Sequence, residues 1–139
     1  MIYTSMSGNT KLFAELIQQN INDVCSVVDI FRLEADGVPD VKKYDSLIIG
    51  TYTWGKGQLP PIQKDFAYEM QHKPKNVFVF GTGDTQFGEE NFCNGALKLG
   101  KYYNTELEVG RVEQSPTDSQ EKVALRWIEK LKKKLEELK

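Results

Sequence analysis

The chain has 139 residues, 40% of them apolar, which suits one globular domain with one sizeable core. Its 18 basic and 20 acidic residues leave a formal charge of -2, so it lacks the basic excess that marks a nucleic-acid-binding face. Cys25 and Cys93 lack C-x-x-C spacing, no apolar run approaches the ~20 residues of a membrane span, and Met1 leads straight into a strand; a soluble cytoplasmic domain without disulfide, zinc or signal peptide is expected.

Short apolar runs alternate with longer segments of helical period, the pattern of a parallel sheet with crossover helices. A short first strand is expected at Met1–Thr4, then a helix from about Lys11 to Asp23 with Leu12, Phe13, Leu16, Ile17 and Ile21 on one stripe. Ser26–Phe31 reads as the second strand, buried on both faces through Val27, Val28 and Ile30. In Leu33–Tyr44, Gly37 and Pro39 leave room for only a short helix. The third strand is Ser46–Thr51, around Leu47-Ile48-Ile49, and the next helix begins near Pro61 with Ile62, Phe66 and Met70. The fourth strand, Asn76–Thr82, precedes a helix marked by Phe92, Ala96, Leu99 and Tyr103. Glu106–Val112 alternates polar and apolar residues and is placed at an edge. The last helix starts near Ser119 and carries Ala124, Trp127, Ile128, Leu131, Leu135 and Leu138 on one face, its lysines solvated.

Five strands and about five helices fit a single domain over residues 1–139, an α/β/α three-layer sandwich whose parallel sheet runs in the order 2-1-3-4-5. Ligands bind such sheets beyond the strand C-termini at the switch point, here between the first and third strands. The functional loops should therefore follow Thr4, Thr51 and Thr82.

The first loop, Ser5-Met6-Ser7-Gly8-Asn9-Thr10, joins a strand to a helix with hydroxyls, a glycine and a cap-type asparagine. Free amides and the helix dipole make such a turn an anion site, with Lys11 the one cation at hand; a plain helix cap is the alternative. It is neither G-x-G-x-x-G nor G-x-x-x-x-G-K-[ST]. The acidic clusters of a receiver domain are missing as well, since Thr4 and Thr51 stand at those strand ends. The second loop, Gly50 to Pro60, holds Tyr52, Thr53, Trp54 and Gly55, and its tryptophan is suited to stack on a flat heterocycle. The third, Gly81 to Cys93, offers Thr82, close backbone approach at Gly81 and Gly83, the Asp84 carboxylate and the Phe87 ring.

With S-M-S-G-N-T after the first strand, G-T-Y-T-W-G-x-G-x-L-P after the third and G-x-G-D…F-C after the fourth, the chain resembles a flavodoxin of the short-chain type over nearly its whole length. The resemblance implies non-covalent flavin mononucleotide (FMN), its phosphate wrapped by Ser5 through Thr10. Tyr52, Thr53, Trp54 and Gly55 would line the ring, with Trp54 on one face and Phe87 on the other. Thr82, Gly83, Asp84 and the Cys93 backbone would meet its pyrimidine edge, and the Gly55 peptide would turn on reduction. The implied role is a monomeric low-potential one-electron carrier, not an enzyme, cycling between semiquinone and hydroquinone. It would be loaded by a flavodoxin or ferredoxin reductase and discharged to acceptor enzymes docking at the flavin edge. Phe87 stands where tyrosine is common, the third loop is one residue longer, and Lys56 replaces an acid or polar residue. Lys56 should ease the second reduction.

T-Y-T…G-x-G-x-L-P is also similar to the flavoproteins that activate manganese-dependent ribonucleotide reductases, although Trp54 and Asp84 are foreign to them. An NAD(P)H-dependent quinone reductase would carry longer loops. His72, Cys25, Trp127 and the pair Tyr102-Tyr103 read as structural.

Overall fold

Five extended segments pair in parallel: β1 (Ile2–Tyr3), β2 (Phe31–Arg32), β3 (Leu47–Tyr52), β4 (Val77–Gly83) and β5 (Gly110–Glu113). Their order is β2-β1-β3-β4-β5, as the sequence pattern predicts. The computed structural model describes residues 1–70 and 75–139; His72 and the side chain of Phe87 lie outside what it describes. The longest ladder joins β3 to β4, from Leu47↔Val77 to Tyr52↔Thr82. These are the two strands with unbroken apolar runs, buried on both faces.

The edges differ from expectation. Ser26–Phe31 is not a strand; only Phe31 and Arg32 pair, with Ile2 and Tyr3. Ahead of that pair the Met1 terminal ammonium donates to the Asp29 carbonyl at 2.6 Å and the Met1 carbonyl accepts from the Phe31 N–H at 2.9 Å, and Val27 is 70% exposed rather than buried. On the other side β5 is the predicted edge strand, but it pairs over Gly110–Glu113, and Leu107 packs in the core without belonging to the ladder.

The helices are α1 (Asn9–Ile21), α2 (Leu33–Asp36), α3 (Pro61–Glu69), α4 (Asn94–Tyr103) and α5 (Ser119–Glu137). Pro61 starts α3 at the position where a missing N–H costs nothing. Phe13, Ile17 and Ile21 of α1 and Trp127, Ile128 and Leu131 of α5 bury one core layer against Ile48, Phe78 and Phe80. Phe66 of α3, Met70 just after it, and Ala96 and Leu99 of α4 bury the other against Ile2, Ile49 and Val79. Leu12 and Leu138, placed on the buried stripes by spacing alone, are 45% and 47% exposed. In the first layer the Phe13 ring lies 4.9 Å from Phe80 and 6.0 Å from Trp127. That cluster requires glycine on the sheet, since a side chain at Gly50 would enter the Phe80 ring and one at Gly110 the Trp127 indole. The indole N–H is satisfied by the Glu108 carbonyl at 2.8 Å. Among the described residues no helix is long and apolar enough to cross a membrane.

Candidate functional site

β1 and β3 are neighbours, yet the chain leaves them for opposite faces: α1 packs in one core layer and α3 in the other. Their C-terminal ends therefore diverge and open a crevice, into which the loops after β1, β3 and β4 project.

The first loop curls on Ser5. The buried Ser5 hydroxyl accepts from the Gly8 amide at 3.2 Å and the Lys11 amide at 3.4 Å. Gly8 precedes α1 with φ 95° and ψ -8°, a left-handed turn that a side chain would strain. Asn9 is the first helical residue, so it does not cap as its residue type suggested; the Ser5 hydroxyl takes that role from outside the helix. The amides of Met6, Ser7, Asn9 and Thr10 are left without an acceptor among the described residues. Lys11 pairs with Glu15 at 4.0 Å, and the cation bonded to the loop is instead Arg32, whose Nη2 donates to the Ser5 carbonyl at 2.7 Å. Glu34 completes this contact: Oε1 accepts from the Ser5 amide at 3.1 Å and Oε2 from the Thr4 hydroxyl.

In the second loop, Trp54 and Gln58 exchange backbone bonds of 2.7 and 2.9 Å around a Gly55-Lys56-Gly57 turn. Trp54 stands 42% exposed at the base of that turn, its ring 6.4 Å from the Tyr52 ring. Burial, with the Glu34 charge nearby, holds the Tyr52 phenol above its ordinary pKa. The start of α4 pins the loop, because Asn94 Nδ2 donates to the Gly57 carbonyl at 2.8 Å and the Gly95 amide to Thr53 Oγ1 at 3.2 Å.

The third loop is tied to the first by a 2.9 Å hydrogen bond between the hydroxyls of Thr10 and Thr82. Asp84 accepts from the Gln86 amide at 2.9 Å, and the Gly83 carbonyl from the Gln114 amide at 2.6 Å. A Cβ on Gly83 would lie 2.7 Å from the Cys93 nitrogen, so these two backbones touch only because residue 83 is glycine. The Cys93 side chain is fully buried, with Sγ 3.7 Å from the Gly81 carbonyl and 3.6 Å from that of Val112. Burial pushes its thiol up to about 12.

The loops enclose a cleft of about 190 Å³. It is lined by Met6, Ser7 and Asn9 from the first, Tyr52, Thr53 and Gly55 from the second, and Thr82, Gly83 and Asp84 from the third. Ser5, Gly8 and Thr10 shape the first loop from behind, Trp54 stands exposed near the Tyr52 ring, and the Cys93 thiol packs inward between β4 and β5. Asn91 and Gln114 also line the cleft and were not anticipated. Gln114 follows β5 at the same end of the sheet as the three loops, which is the signal that could have found it. Arg32 and Glu34 carried no such signal, since their contact with Ser5 spans 27 and 29 residues.

The family model described as flavodoxin matches residues 1–127. The Bacillus subtilis protein named "Probable flavodoxin 2" is 38% identical over 105 residues, 71% of this chain and 67% of that one. The chain spans little more than half the length of most of the curated relatives it matches, 58% and 55% in two of them. The crystal structure of oxidised flavodoxin 1 from Bacillus cereus superposes with a TM-score of 0.78 at 28% identity, over 95% of both chains. Flavodoxin of Fusobacterium nucleatum, crystallised with FMN bound, shares the fold at a TM-score of 0.71 and 20% identity, over 96% of this chain and 95% of that one. A family match that runs from the first strand into the last helix, over a sheet of the same build, decides the matter: the chain belongs to the flavodoxins, a family of FMN-binding electron carriers.

Proposed function

We propose that this chain holds one FMN in the cleft and passes electrons singly between protein partners, as a carrier and not as an enzyme with its own substrate. The observation that carries this reading is the set of amides at Met6, Ser7, Asn9 and Thr10 that find no acceptor among the described residues, gathered at the N-terminus of a 13-residue helix. Neutral donors and the helix dipole together suit a phosphate dianion. Ser5 and Gly8 shape that cradle, and the hydroxyls of Thr10 and Thr82 couple it to the third loop. Trp54 would cover one face of the ring, and the resemblance assigns the other face to Phe87. Tyr52, Thr53 and Gly55, which line the cleft, would meet its edge, while Gly83, Asp84 and the Cys93 backbone would border the pyrimidine.

The cofactor supplies the electron-accepting ring, and the protein supplies orientation, stacking and a partly desolvated cleft. The phosphate and Asp84 disfavour further negative charge on the ring, whereas Lys56 on the adjoining turn offsets them. Partners would be a reductase on the donor side and redox enzymes on the other, docking at the rim in the cytoplasm. The experiment is a titration of the flavin-free chain with FMN, followed by flavin fluorescence. One equivalent should bind with a dissociation constant of about 1 µM or below. The loaded chain should then relay electrons from a reductase to cytochrome c without oxidising NADPH by itself. Failure to take up FMN would refute the proposal.

A further inference from the structure

We infer that Glu34 is a positioning residue for the phosphate loop, holding its first peptide from behind while Arg32 compensates its charge. The inference rests on reading Ser5–Thr10 as the phosphate cradle. The strand feeding the loop does little to orient it, because β1 is two residues long and the Thr4 amide makes one further bond, to the Gly50 carbonyl at 3.1 Å. Orientation comes from side chains across the sheet edge. The Ser5 amide donates to Glu34 Oε1, the Thr4 hydroxyl donates to Glu34 Oε2, and the Ser5 carbonyl accepts from Arg32. Both polar groups of the Ser5 backbone are thereby fixed by one short segment, Arg32 to Glu34. With that peptide held, the Ser5 hydroxyl reaches the Gly8 and Lys11 amides, and the four remaining amides are left for a ligand.

An acid behind an anion site is unfavourable unless its charge is matched. Arg32 Nε lies 3.3 Å from Glu34 Oε1, so the pair stands near neutral. Both side chains are about one-third exposed, so their ion pair by itself contributes little to stability. The effect of the pair is geometric. It should be felt by the phosphate and not by the ring, which the second and third loops hold.

That difference is measurable with FMN and riboflavin, which share the ring and differ in the phosphate. Removing two hydrogen bonds to a charged acceptor in Glu34→Ala should weaken FMN about 10- to 100-fold and riboflavin less than about threefold. Glu34→Gln retains the Oε1 acceptor for the Ser5 amide and should recover most of the FMN affinity. Glu34→Asp keeps the charge but is one methylene shorter; it should lose FMN affinity at least about fivefold, and it serves if the alanine variant does not fold. Tighter FMN binding by Glu34→Ala would show charge repulsion in place of positioning and overturn the inference. An unchanged FMN-to-riboflavin ratio in Glu34→Ala and Glu34→Asp would overturn it as well. A wild-type chain that binds neither flavin, or both equally, defeats the phosphate-cradle reading itself; one that prefers FMN while the variants prefer it equally defeats the Glu34 role alone.

Discussion

Gln63 is completely buried on α3, and neither its amide nitrogen nor its amide oxygen finds a hydrogen-bond partner among the described residues. A buried polar group left unpaired costs about 1–3 kcal/mol, and this side chain presents two such atoms. Methionine has similar length and volume, no branch, and a helix propensity close to that of glutamine. The backbone at this position is untouched by such a change, because the 3.0 Å bond from the Gln63 N–H to the Pro60 carbonyl involves no side-chain atom. Gln63→Met should therefore stabilise the flavin-free chain by about 1–3 kcal/mol, less any repacking cost of about 1 kcal/mol. At roughly 2.1 cal/mol/K per residue, unfolding a chain of this length carries about 0.3 kcal/mol/K of entropy, so each kcal/mol moves Tm by about 3 °C. Gln63→Glu, which brings an unpaired charge into the same place, should do the reverse by several kcal/mol. Thermal unfolding followed by circular dichroism reads both, and urea unfolding should show a shifted midpoint with an unchanged slope. A methionine variant that melts below the wild type would mean that the amide is bonded in the folded protein, and the reasoning would fail.

Gly83→Ala should cost about 1–3 kcal/mol and weaken FMN at least about tenfold, because its Cβ must displace the Cys93 backbone from 2.7 Å; unchanged melting and unchanged binding together would contradict this. Lys56→Glu should make the lower midpoint potential of the bound flavin more negative by on the order of tens of mV, and less so at high salt; an unchanged or raised potential would refute the role given to Lys56. For Cys93, whose thiol is raised from 9.0 to about 12 by burial, the unfolded chain releases its proton first. The associated stability is complete below pH 9 and is lost as pH rises toward 12, at up to about 1.4 kcal/mol per pH unit. Urea midpoints should fall further between about pH 8.5 and about pH 10.5 in the wild type than in Cys93→Ala, and parallel losses would speak against it.

What the sequence revealed depended on whether the cause was local. Leu47-Ile48-Ile49 and Val77-Phe78-Val79-Phe80 are buried on both faces and read directly as central strands. The stripe Phe13, Ile17 and Ile21 located α1, and the three strand ends located the cleft. Val27-Val28 misled because pairing is decided by the neighbouring strand and not by residue type, and β1 pairs with β2 over two residues. The Asn9 cap misled for a similar reason, since the left-handed Gly8 rotates the loop so that Ser5 reaches the amides first. Gln114, Arg32 and Glu34 sit in no motif, and only the closing of the sheet brings them to the loops, whereas Asn91 lies within the third loop and carries no residue-type signal of its own.

The staples around the cleft also bear on how it would work. Thr10 holds Thr82, Gly95 holds Thr53, Asn94 holds Gly57, and Glu34 holds Ser5, so side chains tie each of the three loops to its surroundings. The peptide between Gly55 and Lys56, inside the Trp54–Gln58 bracket, has no bond of its own among the described residues, like the amides of the first loop. A Cβ at Gly55 would meet nothing within 4 Å, so space does not require glycine there. Its φ of 51° favours glycine, because left-handed backbone costs a residue with a side chain more, although Cys93 and Asn104 adopt it at φ 52° and 53°. Gly83 is thus glycine for room, whereas Gly55 is glycine for its left-handed backbone.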